Sequence, residues 1–249
     1  MPCYDKKLEA SRSEFYNDVY RTRDVDTVLT STEIIEILTL KDFDLMSEQF
    51  TTEQNEKMED QLEFSDLFNS FNEKGELISG TTGGSGGYAE YIFKYAAKTL
   101  FNKEIEKIEW KKVRNVDLQE VSLEIDGKKV LNFALAYGFR NIQNIVRKIK
   151  SNTCTYHYVE VMACPSGCLN GGGQIKKNTN DREEQRNHLK EVENLYQGIE
   201  IEQPHNNPIL PKIYQQFVQD KPYSILAQKL FHTTYKPIQK DNSSLNIRW

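Results

Sequence analysis

Cys164 and Cys168 stand four apart with Pro165 between them, and Gly171, Gly172 and Gly173 follow within the stretch EVMACPSGCLNGGGQIK at 160–176. Proline suits the first position of a helix, where a missing N–H costs nothing. A helix starting at Pro165 would set the two thiols about one turn apart on one side. It would also favour thiolate over thiol, and thiolate is the form that binds soft metals. Three consecutive glycines let backbone pass close to a bulky object and aim N–H groups at it. This pattern points to a cavity for something soft and anionic, such as an iron–sulfur cluster. The same C-x3-C spacing also suits two buried cysteines on a helix face, and spacing by itself leaves both readings open.

A third cysteine opens the chain in MPCYDKKLE, where Cys3 precedes Lys6 and Lys7. Two lysines beside a thiol would lower its pKa and offset the charge of a bound anion. The fourth, Cys154, lies apart from these patterns and reads as a structural thiol.

The elements that must position these residues read as an α/β chain. Residues 23–30 alternate like a strand, and Ser31-Thr32-Glu33 then supplies helix-start chemistry with Ile34, Ile35 and Leu38 as the apolar face. Residues 41–72 are acidic with scattered phenylalanines, and read as a loop with short helices. A glycine cluster at 80–87 precedes a helix whose predicted face is Tyr88, Ile92, Phe93, Ala96 and Leu100. Gly84, Gly86 and Ala89 fit G-x-G-x-x-A, but Glu-Leu-Ile-Ser before them is a poor strand for a dinucleotide site. Strands follow at 105–113, 117–125 and 130–137, with Asp126-Gly127 as a hairpin turn. Ile142, Ile145, Val146 and Ile149 have helical spacing, and 156–162 is the strand that delivers the cysteines. Helices are expected at 181–197, from about 205 with Leu210, Ile213, Tyr214 and Phe217, and at 222–235. His205 and His232 read as structural.

The 249 residues carry a net charge of −5 with both signs interspersed, so no basic stripe favours nucleic acid. No apolar run is long enough for a membrane span, and Met1 to Ala10 has no apolar core like a secretory signal. Four cysteines do not make a disulfide scaffold at this length, and the cytosol is the expected compartment.

The run E-x-M-A-C-P-x-G-C-x-x-G-G-G-Q at 160–174 resembles the third cluster motif of the [FeFe]-hydrogenase superfamily, with Ser166 where a glycine is common. M-P-C-x-x-K-K-x-E at 1–9 resembles the second, and R-D-V-D-x-V-L-T at 23–30 resembles a further family segment. The G-G-S-G-G-Y turn, Y-G-F-R-N-I-Q-N at 137–144 and Y-H-Y-V-E-V-M-A-C at 156–164 look like the Nar-type, hydrogenase-like assembly-factor branch. This resemblance implies a partial hydrogenase large-subunit-like fold at 1–178, with a parallel or mixed sheet and flanking helices. A helical small-subunit-like segment at 179–235 and a flexible tail at 236–249 would follow. It implies a [4Fe–4S] cluster held by Cys3, Cys164 and Cys168, in a pocket that includes Lys6, Gly83, Gly84, Gly171, Gly172 and Gly173. The family's fourth ligand and its amino-terminal cluster segment lie upstream of Met1, so the chain is expected to be part of a longer protein. The implied role is non-enzymatic delivery of clusters to cytosolic and nuclear apoproteins, in company with a WD40-repeat targeting complex. Trp249, an aromatic beside the terminal carboxylate, is the expected docking tag. The alternatives are an iron hydrogenase and a prelamin-recognition-type binding protein.

Overall fold

The structure is a computed structural model and describes residues 3–43, 78–79, 86–203, 206–207, 209–219 and 221–232. Its centre is a four-stranded mixed sheet in the order β4–β5–β6–β7. Ahead of it come α1 (Tyr4–Ala10), a small antiparallel pair β1 (Tyr16–Asn17) and β2 (Thr22–Arg23), α2 (Ser31–Leu40), β3 (Ile78–Ser79) and α3 (Tyr88–Phe101). The sheet strands are β4 (Lys111–Asn115), β5 (Leu118–Ile125) and β6 (Lys128–Tyr137). After α4 (Phe139–Lys150) comes β7 (Tyr158–Met162). Then follow α5 (Arg182–Gln197), β8 (Glu200–Ile201), which pairs parallel with β3, α6 (Ile209–Val218) and α7 (Ile225–Phe231).

The predicted hairpin forms because Asp126 and Gly127 both take positive φ, +51° and +74°. That turn matches the right-handed twist of the flanking strands. β6 then alternates across the sheet. Leu131 and Phe133 meet Phe93 and Ala97 of α3, while Ala136 meets Ile145 of α4 and Leu118 on the other side. Phe93 packs edge-on against Phe133 with ring centroids 5.1 Å apart. Truncating a ring buried this fully costs about 3–5 kcal/mol, so this layer anchors the sheet. β6, α4 and β7 form the expected β–α–β unit, with β6 and β7 parallel from Phe133↔Tyr158 to Tyr137↔Met162. The cysteines therefore leave the carboxyl end of an edge strand, where open α/β sheets place ligands.

Several expectations need correction. Residues 24–30 do not extend as a strand; β2 stops at Arg23, and the chain runs irregularly into α2. Alternation favours a strand only where a partner edge exists to pair with it. α2 begins one residue earlier than its Ser-Thr-Glu signal implied. Thr30 is the cap, and its backbone N–H and hydroxyl both donate to Glu33, at 2.8 and 2.9 Å. Ile34 and Ile35 remain about 40% exposed. The first sheet strand starts at Lys111, not 105. The buried face of α3 is Ala89, Phe93 and Ala97, whereas Tyr88 and Leu100 are largely exposed. Close packing on the sheet favours the small-residue face over the bulkier neighbouring one. β3 is only two residues long, which supplies none of the strand a dinucleotide turn needs. The acidic stretch at 44–72 and the tail at 236–249 lie outside the described residues, as do Gly83, Gly84, His205 and Trp249. His232 is exposed just past α7.

Candidate metal centre

The segment after β7 does not become a helix. The Gly167 N–H donates to the Cys164 carbonyl at 3.1 Å, closing a tight turn over Pro165 and Ser166. Ser166 has φ +59° and Gly167 φ +78° with ψ −168°. Two left-handed residues in a row cannot continue an α-helix. Only a short 3-10 turn, Cys168–Asn170, follows. The helix N-terminus expected to stabilise these thiolates is therefore absent. The side chain that takes the Ser166 N–H is Asp117, at 2.7 Å.

Cys3 is brought from the start of the chain to this turn and is 1% exposed. The Tyr4 N–H donates to the Gly172 carbonyl at 3.0 Å, which pins the segment there. The glycines explain the fit. A Cβ on Gly171 would stand 2.7 Å from Cys3 Cβ, one on Gly172 2.7 Å from the Tyr4 ring, and one on Gly173 2.6 Å from Thr30 Cγ2. Each glycine thus admits a different piece of the chain's own structure. The anticipated close approach is mostly protein on protein. One anticipated N–H does point at sulfur: Gly172 donates toward Cys164. α2 is tied to the same strip, since Ser31 Oγ donates to Gln174 Oε1 at 2.6 Å and the Thr32 N–H to the Gly173 carbonyl at 3.1 Å.

The three thiols are electrostatic neighbours. Burial pushes the Cys164 pKa up, and the adjacent Cys3 and Cys168 push it further, against the Gly172 N–H. Lys6 has its pKa raised by its hydrogen bond to Glu9 first, and Cys168 adds to the rise. Lys6 is thus within electrostatic reach of Cys168 while bonded to Glu9. Lys7 instead donates to the Val28 carbonyl and pairs with Glu33 at 2.9 Å. Among the described residues, no three or more His, Cys, Asp or Glu side chains surround a single metal-ion position. Cys3 is within hydrogen-bond reach of Cys164, and Cys168 is close enough to act on Cys164 through its charge. Cys154 precedes β7 at its opposite end, and five strand residues at roughly 3.3 Å each separate it from these thiols. None of the four cysteines forms a disulfide.

Sequence reasoning missed the polar floor of the site. Glu160 is buried at 5% exposure, accepts the Ala89 N–H at 2.8 Å and accepts the Tyr137 hydroxyl at 2.6 Å. Burial first, then the bond to Glu160, drives the Tyr137 pKa far up, and the charges of Cys168 and Asp117 act in the same direction. The signal was present in part, because Tyr137 and Glu160 both sit in quoted motifs. Asp117 carried none. A cavity of 790 Å³ adjoins this floor, bounded by Tyr137, Glu160, Ser166 and Leu169 and by Arg186 and Lys190 of α5. It lies behind the cysteine turn and is not lined by the thiols.

Residues 1–172 match the family described as iron only hydrogenase large subunit, C-terminal domain, and residues 182–238 match the iron hydrogenase small subunit. The chain belongs to the iron-only hydrogenase large-subunit family. A probable cytosolic Fe-S cluster assembly factor of Dictyostelium discoideum is 48% identical over the whole chain, which covers 47% of that protein. A cytosolic Fe-S cluster assembly factor of Xenopus tropicalis and cytosolic iron-sulfur assembly component 3 of Rattus norvegicus are each 45% identical over the whole chain. The chain covers 49% of each. It therefore spans about half the length of the curated relatives it matches. Among solved structures, the HydA1 [FeFe]-hydrogenase of Chlamydomonas reinhardtii aligns with a TM-score of 0.65 at 23% identity. The alignment covers 94% of this chain and 62% of that one. The α/β hydrogenase-like fold expected from the sequence is thus borne out.

Proposed function

We propose that this chain holds a [4Fe–4S] cluster through Cys3, Cys164 and Cys168 and serves cytosolic iron–sulfur assembly, handing clusters to cytosolic and nuclear apoproteins. The observation that carries the reading is the convergence of Cys3 with the Cys164–Cys168 turn, although the two motifs lie at distant points of the sequence. Neighbouring soft thiols suit a polynuclear cluster, which when bound supplies a site for storing and releasing iron and sulfide as a unit. The protein's part is to anchor Cys3 through Gly172, to donate the Gly172 N–H toward Cys164, and to set the Lys6 ammonium near Cys168. Each of these favours an anionic group at the thiols.

A [4Fe–4S] cluster takes four thiolates. The chain has only Cys154 left, at the wrong end of β7. The fourth donor in this reading comes from outside these residues. The relatives' names support an assembly role over hydrogen chemistry. Gly83 and Gly84 as part of the pocket, Trp249 as a docking tag for a WD40-repeat targeting complex, and a cytoplasmic location belong to the same proposal.

Anaerobic reconstitution followed by iron, sulfide and visible-absorption analysis tests it, with Cys164→Ser alongside. Near-equal iron and sulfide with a broad absorption lost in the variant is the expected result. No iron in the wild-type chain would overturn cluster binding by this chain, and infrared bands of CO and CN ligands would favour the hydrogenase alternative.

A further inference from the structure

The structure assigns Asp117 a positioning role: its carboxylate holds the turn that presents Cys164 and Cys168. Asp117 sits between β4 and β5, far from the cysteines in sequence. Its Oδ1 accepts the N–H of Ser166, the residue forced to positive φ in the turn. A carboxylate on a backbone N–H at 2.7 Å is a charge-assisted bond, about twice as strong as a neutral one. It fixes the orientation of the Pro165–Ser166 peptide, and hence the direction in which the chain leaves Cys164 and reaches Cys168.

Asp117 is itself held on a platform. Its N–H donates to Asn115 Oδ1 at 2.9 Å, and its carbonyl accepts the Tyr137 N–H at 2.8 Å. Asn115 and Asn141 exchange two side-chain hydrogen bonds, at 3.2 and 3.1 Å. Asn141, 3% exposed, also donates to the Tyr137 carbonyl at 2.8 Å. The first turn of α4, the end of β6 and the β4–β5 connection thus form one hydrogen-bonded unit beneath the cysteine turn. Gly138 completes the contact, because a Cβ there would press Pro165 Cγ at 3.3 Å. This gives a physical use for Tyr137 and Asn141 in the 137–144 motif, which cluster ligation does not explain.

The test uses Asp117→Asn and Asp117→Ala in the 249-residue chain. In the metal-free protein, amide exchange at Ser166 is expected to quicken by about tenfold or more in Asp117→Ala, the factor set by one net hydrogen bond. Asp117→Asn keeps an acceptor oxygen without the charge, so its exchange should fall between wild type and Asp117→Ala. After anaerobic reconstitution with ferrous iron and sulfide, Asp117→Ala should retain less iron. Asp117→Asn, which keeps an acceptor oxygen, should retain more iron than Asp117→Ala. Unchanged Ser166 exchange in Asp117→Ala would overturn the positioning role. If the wild-type chain takes up no iron, the cluster reading has failed by itself, and Ser166 exchange still decides the positioning role.

Discussion

Adjacent substitutions in the cysteine turn should move stability in opposite directions. Ser166 holds φ +59°, a left-handed conformation that costs an L-residue about 1–2 kcal/mol. Glycine relieves that cost but loses about 0.5–1 kcal/mol of extra backbone entropy on folding. Ser166→Gly keeps the N–H that Asp117 accepts, so the difference survives as a net gain of about 0.5–1 kcal/mol. Gly167 is the opposite case. At φ +78° and ψ −168° it occupies a region that is essentially glycine-only, so Gly167→Ala should cost about 1–3 kcal/mol. Guanidinium unfolding of the metal-free chain reads both, with unchanged denaturant slopes as the check that stability alone has moved. In a chain of this size the gain amounts to a melting shift of roughly 1–4 °C. A destabilised Ser166→Gly, or a neutral Gly167→Ala, would refute the turn geometry and with it the reason no helix follows Pro165.

Four further outcomes are expected. Gly86→Ala would drive a Cβ into Glu160 Oε1 and against Met162 Cε, and Glu160 cannot retreat while it accepts from Ala89 and Tyr137. Thermal denaturation should show a loss of about 1–3 kcal/mol. Cys154→Ser should leave reconstituted iron content at the wild-type level, whereas Cys3→Ser and Cys168→Ser should each lower it; a loss in Cys154→Ser would mean the β7 geometry is wrong. Glu33 has its pKa held down to about 2, chiefly by the Thr30 N–H and then by Lys7 and the Thr30 hydroxyl. A depressed carboxylate stabilises the fold above its unfolded pKa and loses that contribution as pH falls through the folded value. The start of α2 should therefore stay intact at pH 4 and loosen only toward about pH 2, and an NMR midpoint near the ordinary glutamate value would show that the capping box is not formed. Tyr156 is pushed up to about 12 by burial first and then by its hydrogen bond to Glu120, so ultraviolet titration should find this phenol ionising later than an exposed tyrosine, and Glu120→Ala should bring it down.

The local sequence by itself determined the hairpin at Asp126-Gly127, the β6–α4–β7 unit and α5. In each, periodicity and turn chemistry act over a few residues and agree with one another. The three thiols that the fold brings near one another were also legible as a candidate set, because their motifs are long and nearly continuous. What the sequence misjudged was shape that depends on distant partners. Pro165 reads as a helix start until Asp117, brought in by the β4–β5 connection, binds the Ser166 N–H. Lys6 and Lys7 read alike until α2 places Glu33 beside only one of them. The three glycines read as room for a ligand until Cys3, Tyr4 and Thr30 are seen to fill that room. Only the tertiary structure could decide these points. A backbone N–H, an ammonium or a missing Cβ gains its meaning from whatever lies within about 3–4 Å, and chain order does not specify that neighbour.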